Sequence, residues 1–135
     1  MIAKEVIARL EAECPLLTFI GGAIDNARAL EGTSRAGEAY VVPVREWGDP
    51  PNTTGTDQTK HEQFAVVLAL GAPNDLTGGG AEEHIRDVVN EVRAALVGWQ
   101  PKEGWMDCWW REGGPTGIEH GLIWWQETFE TFYRD

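Results

Sequence analysis

Between Gln63 and Pro101 the hydrophobic pattern changes period once, and the change divides this stretch into a strand and a helix. Phe64 to Leu70 is an unbroken apolar run rich in Val and Leu, with polar residues before it and Gly71 and Pro73 after it. Such a run suits a strand buried on both faces in the middle of a sheet. From Ala81 the apolar residues Ile85, Val88, Val89, Val92, Ala95 and Leu96 recur at steps of three and four, with Glu83, Arg86, Asp87 and Asn90 on the other side. That is an amphipathic helix with one face for a core. Glu82 and Glu83 favour the positive end of its dipole, Gly98 can take the left-handed conformation that ends it, and Pro101 prevents it from resuming. Trp99, in register with Val92 and Leu96, is expected to plug one end of the core.

The flanking segments add strands and one more helix. Ile2, Val6 and Leu10 predict a helix that ends near Cys14, because Pro15 follows. Leu16 to Ile20 reads as a short strand or the start of a turn, broken at Gly21-Gly22, and Ile24 to Gly37 as connector with one helical turn around Ala27 to Leu30. Ala39 to Arg45 alternates Tyr40, Val42 and Val44 on one face, and Pro43 puts it at an edge or gives it a bulge. Gly48 to Lys60 has no apolar anchor, two adjacent prolines and a run of Thr, Asn, Asp and Gly. It predicts a long mobile loop joining strands Ala39–Arg45 and His61–Leu70, with Lys60 as its first proteolytic site. Trp105 to Arg111 and Gly121 to Tyr133 read as aromatic strands, with Glu112 to Gly117 as the turn between them. On the last strand Ile123, Trp125, Phe129 and Tyr133 share a face that Glu127 and Thr131 interrupt, so its far end is expected to leave the core. The fold class is α+β: a mainly antiparallel sheet with a long hairpin, packed against an N-terminal helix and a central amphipathic helix, in one domain over residues 1–135.

Charge narrows the partners. The chain has 11 Lys and Arg against 22 Asp and Glu, a formal net charge of -11. Free DNA and anionic membranes repel such a surface. No apolar run approaches the ~20 residues of a spanning helix. Met1 leads straight into a charged amphipathic pattern rather than a signal peptide, so the expected site of synthesis is the cytosol. Seven tryptophans are the compositional oddity.

The search for chemistry finds no catalytic, cofactor or metal site. Gly78-Gly79-Gly80 precedes a helix but lacks the Lys-Ser/Thr of a phosphate loop, and Glu82 and Glu83 would repel a phosphate. It reads as a flexible link. His61, His84 and His120 show no ligand spacing and read as solvated or hydrogen-bonded side chains. Cys14 and Cys108 read as small buried hydrophobes, with nothing cationic near Cys108 to activate it. Ser34, the only serine, has no nucleophile-elbow pattern. The pairs Trp109-Trp110 and Trp124-Trp125 put one ring on each face of their strands. Helix-side rings are expected to fill the core against Val88, Val92 and Trp99. The rest form an uncovered aromatic face that suits a protein interface better than a ligand site. Trp109, Trp110, Trp124 and Phe132 are the interface candidates.

The order of these elements resembles the phage tail terminator (tail completion) proteins. It is carried by Tyr40-Val41-Val42-Pro43, Gln63 to Leu68, Asp75 to Gly80, Ala95 to Pro101, and Trp124-Trp125 with Phe129 and Tyr133. The aromatic stretch Trp105 to Trp110 departs from the family's pattern. The resemblance implies an α+β subunit of a ring, typically of six copies, on the head-proximal end of the tail tube. It implies that the ring stops tube growth, presents a surface to the neck or head-completion protein, and performs no catalysis. DNA would pass through such a ring without stable binding. Glu46, Asp49, Asp57 and Lys60 are then candidates to border the channel or meet a partner. The alternative reading is a carbohydrate-binding module using the surplus tryptophans, and a small hydrolase using Asp, Glu and His is a third.

Overall fold

A computed structural model describes residues 2–51, 57–71 and 80–134. Along the chain lie α1 (Ala3–Glu13), β1 (Phe19–Gly21), α2 (Ala23–Arg28, continued by a wide turn over Ala29–Thr33), β2 (Glu38–Gly48), β3 (Thr59–Leu70), α3 (Gly80–Leu96), β4 (Trp109–Glu119) and β5 (Leu122–Arg134). The strands form one sheet in the order β1-β2-β3-β5-β4. Only β1 pairs in parallel, with the start of β2; the remaining neighbours are antiparallel. The protein is α+β.

β3 is the central strand, as its continuous apolar run requires. It pairs with β5 from Thr59↔Arg134 to Leu70↔Ile123 and with β2 from Glu38↔Ala69 to Gly48↔Lys60. Alternation then sorts its side chains. Phe64, Val66, Leu68 and Leu70 join a core with Val6 and Leu10 of α1 and Val88, Val92, Ala95 and Leu96 of α3. Ala69 faces the other way, with Tyr40, Leu122, Trp124 and Ala29. The two long helices thus cover one face, while α2 and its turn cover one end of the other.

The helix ends are tied down locally. The Arg9 Nε donates to the Ala95 carbonyl at 2.9 Å, satisfying an acceptor that the end of α3 leaves open. Gly98 takes φ +81, and its N–H donates to the Cys108 carbonyl. The chain after α3 is therefore folded back at once rather than left as free connector.

Several sequence expectations need correction. The hairpin arms of β2 and β3 run on to the Gly48↔Lys60 pair, so Lys60 is a strand residue and not an exposed cleavage point. Of the segment 48–60 expected to be mobile, 52–56 lie outside the described residues, as do 72–79 of the Gly-rich link. Pro43 does sit beside a bulge, with a register shift between Pro43 and Arg45. Residues 23–33 are more helical than the single turn expected. Trp105 makes only an isolated bridge to Tyr133, so the strand begins at Trp109.

The larger error concerns Glu112 to Gly117, which is strand. The turn is the two-residue His120-Gly121, with φ +54 and +75 between the paired Glu119 and Leu122. That left-handed pair matches the twist of a tight hairpin. Pro115 is tolerated because β4 is the edge strand, and register shifts follow Trp110 and Pro115. Glu127 and Thr131 do not open the face they interrupt, since both are fully buried; β5 leaves the core only past Thr131, where Phe132 and Tyr133 are half-buried and Arg134 is exposed.

Phe129 is fully buried and stacked on Phe64 at 5.6 Å, whereas Trp99 is half-exposed beneath the Arg9 guanidinium. Phe129→Ala should cost about 3–5 kcal/mol, because it leaves a closed cavity. The partial burial of Trp99 reduces its expected cost on truncation to about 1–2 kcal/mol. Urea unfolding of the two variants checks the order, and equal losses would contradict this packing.

Candidate assembly interface

Glu127 lies on the helix-side face of β5 with no exposed surface, and its carboxylate is saturated with donors. Arg93 of α3 donates Nε to Oε2 at 2.6 Å and a terminal nitrogen to Oε1 at 2.8 Å. The Trp110 indole donates to Oε2 at 2.7 Å and the Trp125 indole to Oε1 at 2.8 Å. Two N–H bonds therefore reach each oxygen, so the buried carboxylate leaves neither oxygen without a donor. The Arg93 guanidinium also lies 4.4 Å from the Trp110 ring centroid. Hydrogen bonding to Glu127 raises the Arg93 pKa further above its usual value. Gly113 is the register partner of Glu127, and a Cβ there would come within 1.9 Å of Oε1. The glycine leaves room for the carboxylate.

On the opposite face, beyond the reach of α2, an aromatic row crosses the sheet. Trp47 and His61 are register partners with rings 4.8 Å apart and nearly parallel, at 5°. His61 then meets Phe132 at 5.6 Å, and Phe132 meets Trp109 edge-on at 5.9 Å. Arg45 lies 4.1 Å from the Trp47 centroid at one end. At the other end Arg111 donates to Glu130 Oε1 at 2.5 Å, and the second oxygen of Glu130 stands 3.7 Å from His61 Nδ1. The His61 Nε2 is 3.0 Å from the Asp49 carboxylate. This row ties together four strands and the loop end of the β2–β3 hairpin.

The sequence candidates are thus divided. Trp109 and Phe132 stand together in the row. Trp110 is on the other face with Arg93 and Glu127, and Trp124 is buried under α2 against Tyr40, with no outward ring to offer. Of the helix-side rings, Trp125 packs against the core that holds Val88 and Val92 and also donates to Glu127, whereas Trp110 stands outside that core and donates to the same carboxylate. Glu46, Asp49 and Asp57 are exposed near the loop end of the hairpin, and Lys60 lies beside them on β3. Sequence reasoning missed Arg45, Trp47 and His61. Carrying the alternation of β2 past the Pro43 bulge would have put Arg45 and Trp47 on one face.

The remaining reactive groups are held inert. Burial pushes the Cys14 and Cys108 thiols up to about 12, and both are free and buried. Tyr40 is likewise raised to about 12 by burial and by its hydrogen bond to Glu38. Among the described residues no three acidic, histidine or cysteine side chains are grouped to hold a metal ion. No described helix is long and apolar enough to cross a membrane.

These features are surfaces rather than a cleft: an α+β subunit with a partly open, aromatic sheet face. A family model described as phage tail terminator protein matches residues 1–134, and the chain belongs to that family. The protein is accordingly a structural component of the phage tail and of the virion. No curated protein matches the chain.

Truncating Glu127 would leave Arg93 and two indole N–H groups without their acceptor. Glu127→Ala should cost about 3–5 kcal/mol. Arg93 is one-third exposed and can turn to water, so Arg93→Met should cost less, about 1–3 kcal/mol. Gly113→Ala should destabilise through the same carboxylate. Thermal and urea melts test the series, and a Glu127→Ala variant as stable as the parent would contradict it.

Proposed function

We propose that the protein forms a ring, of six copies by analogy with its family, on the head-proximal end of the tail tube. There it stops tube growth and offers a joining surface to the neck protein. The observation that carries this reading is the family match over nearly the whole chain, and the half-open sheet face supports it. An aromatic row flanked by arginines is the composition that protein interfaces favour at their centres. Trp109 and Phe132, with Trp47 and His61, are the proposed contact to the tube or neck protein.

The charge fits the same role. A basic channel would hold DNA through counterion release, whereas acidic groups leave the duplex free to slide. Glu46, Asp49 and Asp57 are the proposed channel-side carboxylates, with Lys60 beside them. The carbohydrate-binding alternative gains nothing from the structure, because the rings of the row stack on one another and Trp124 is buried.

The test is assembly with tube protein. Mass photometry should show a discrete oligomer, and adding the protein to polymerising tube protein should shorten the tubes in proportion to dose. Unchanged tube lengths would contradict capping. In mobility-shift assays at low salt the parent should not bind DNA. The triple variant Glu46→Lys, Asp49→Lys and Asp57→Lys should bind it in a salt-sensitive way if these groups border the channel. No gain of binding would remove them from that role.

A further inference from the structure

Between the aromatic row and α2, the half-open face of the sheet holds a shallow trough that strand alternation creates. Gln63, Ala65 and Val67 of β3 and Gln126, Thr128 and Glu130 of β5 point to this face, opposite to Phe64 and Phe129. On β4 the register partner of Gln126 is Gly114, where an added Cβ would meet nothing within 4 Å. Small residues at Ala65 and Gly114 thus keep the floor low. Phe132 and Trp109 wall one end, and Trp124 beneath α2 walls the other. The depression over Gln126 and Thr128 runs on past Thr116 to Asn26 of α2.

Polar groups along this trough lack partners. Gln63 is 9% exposed and Thr128 only 3%, yet neither side chain makes a hydrogen bond to a described residue. The Gln126 amide makes none either, and the Asn26 Oδ1 is buried without a donor among the described residues. Buried polar side chains are nearly always paired, so this grouping points to a ligand. Arg45, the register partner of Gln63, adds a charge at the β2 side. Its guanidinium lies on the Trp47 ring, and no described carboxylate is within ion-pair reach of it, although acids outnumber bases by 22 to 11. The adjacent Glu46 pairs with Glu62 in register and faces the other side. On the β4 rim stands Glu112, the register partner of Thr128, with no described cation beside it.

We propose that this trough receives an extended segment of the tube or neck protein, with a carboxylate of that segment set on Arg45. The inference rests on the reading of this sheet face as the contact to that protein, and it specifies which part of the protein docks. Alternate residues of an extended chain repeat about every 7 Å, which is also the spacing of Gln126 and Thr128 along β5. Each residue of such a chain offers a backbone donor and acceptor, and amide and hydroxyl side chains can meet both. The charges set its direction. Its acid lies over β2 beside Arg45, and no acid lies over β4 beside Glu112. A neutral sugar chain would leave Arg45 unpaired, and the rings at the trough's end already stack on one another.

Short overlapping peptides covering the tube protein, the neck protein and this chain itself test the assignment against the intact protein. An acidic peptide from the tube or neck protein should bind, and replacing its acid by the amide should weaken it about tenfold or more. Arg45→Glu, at an exposed position, should cause a loss of the same order. Gly114→Trp fills open space in the trough, so it should abolish peptide binding and leave the melting temperature unchanged. Binding of intact tube or neck protein with no peptide from either would overturn the inference while leaving the interface reading in place. Peptide binding that survives both Gly114→Trp and Arg45→Glu would overturn it too. So would binding only to a peptide of this chain, which would assign the trough to a second copy. If neither intact protein binds, the interface reading fails, and the inference with it.

Discussion

The Glu127–Arg93 pair is the constraint on which the arrangement of the edge strand depends. A carboxylate with no solvent contact survives only if its lone pairs are met, and here α3, β4 and β5 each supply part of the answer. Arg93 reaches across from the helix, Trp125 from the same strand, and Trp110 from the edge. Gly113 must lack a side chain for the carboxylate to fit. Replacing such a pair by apolar residues of similar volume is often neutral for stability, so its value here is positional. It fixes where α3 sits along β5 and holds an otherwise exposed edge strand in register.

With the edge fixed, the two faces of the sheet divide their roles. One is closed by α1 and α3 around a continuous apolar core. The other is closed only at the α2 end, and the aromatic row spans the rest. That row is held by its own contacts: Trp47 stacks on His61, His61 meets Asp49 through Nε2, and Arg111 meets Glu130, although the buried His61 Nδ1 has no hydrogen-bond partner among the described residues. A surface ordered before a partner arrives loses less side-chain freedom on association.

How much of this could be read in advance depended on whether local pattern or distant partners decided each feature. β3 and α3 were legible because seven and seventeen residues of consistent period leave little choice. The His120-Gly121 turn was not. The glycines of Glu112–Gly117 gave a stronger compositional turn signal than the two residues that turn, and Gly113 is explained only by a carboxylate fourteen positions later. Glu127 looked like an interruption of an apolar face because its partner, Arg93, is 34 positions away. Trp124 and Trp109 are alike by type, yet α2 covers one and leaves the other on the open face. Composition alone contains no trace of that difference.

The family places the protein in the tail, while the proposed role requires one particular end of it. Gold-labelled antibody against the protein, applied to isolated tails and viewed by negative-stain microscopy, separates the two most directly. Label confined to the head-proximal end is the predicted result. Label along the shaft, or at the distal tip, would contradict the terminating role.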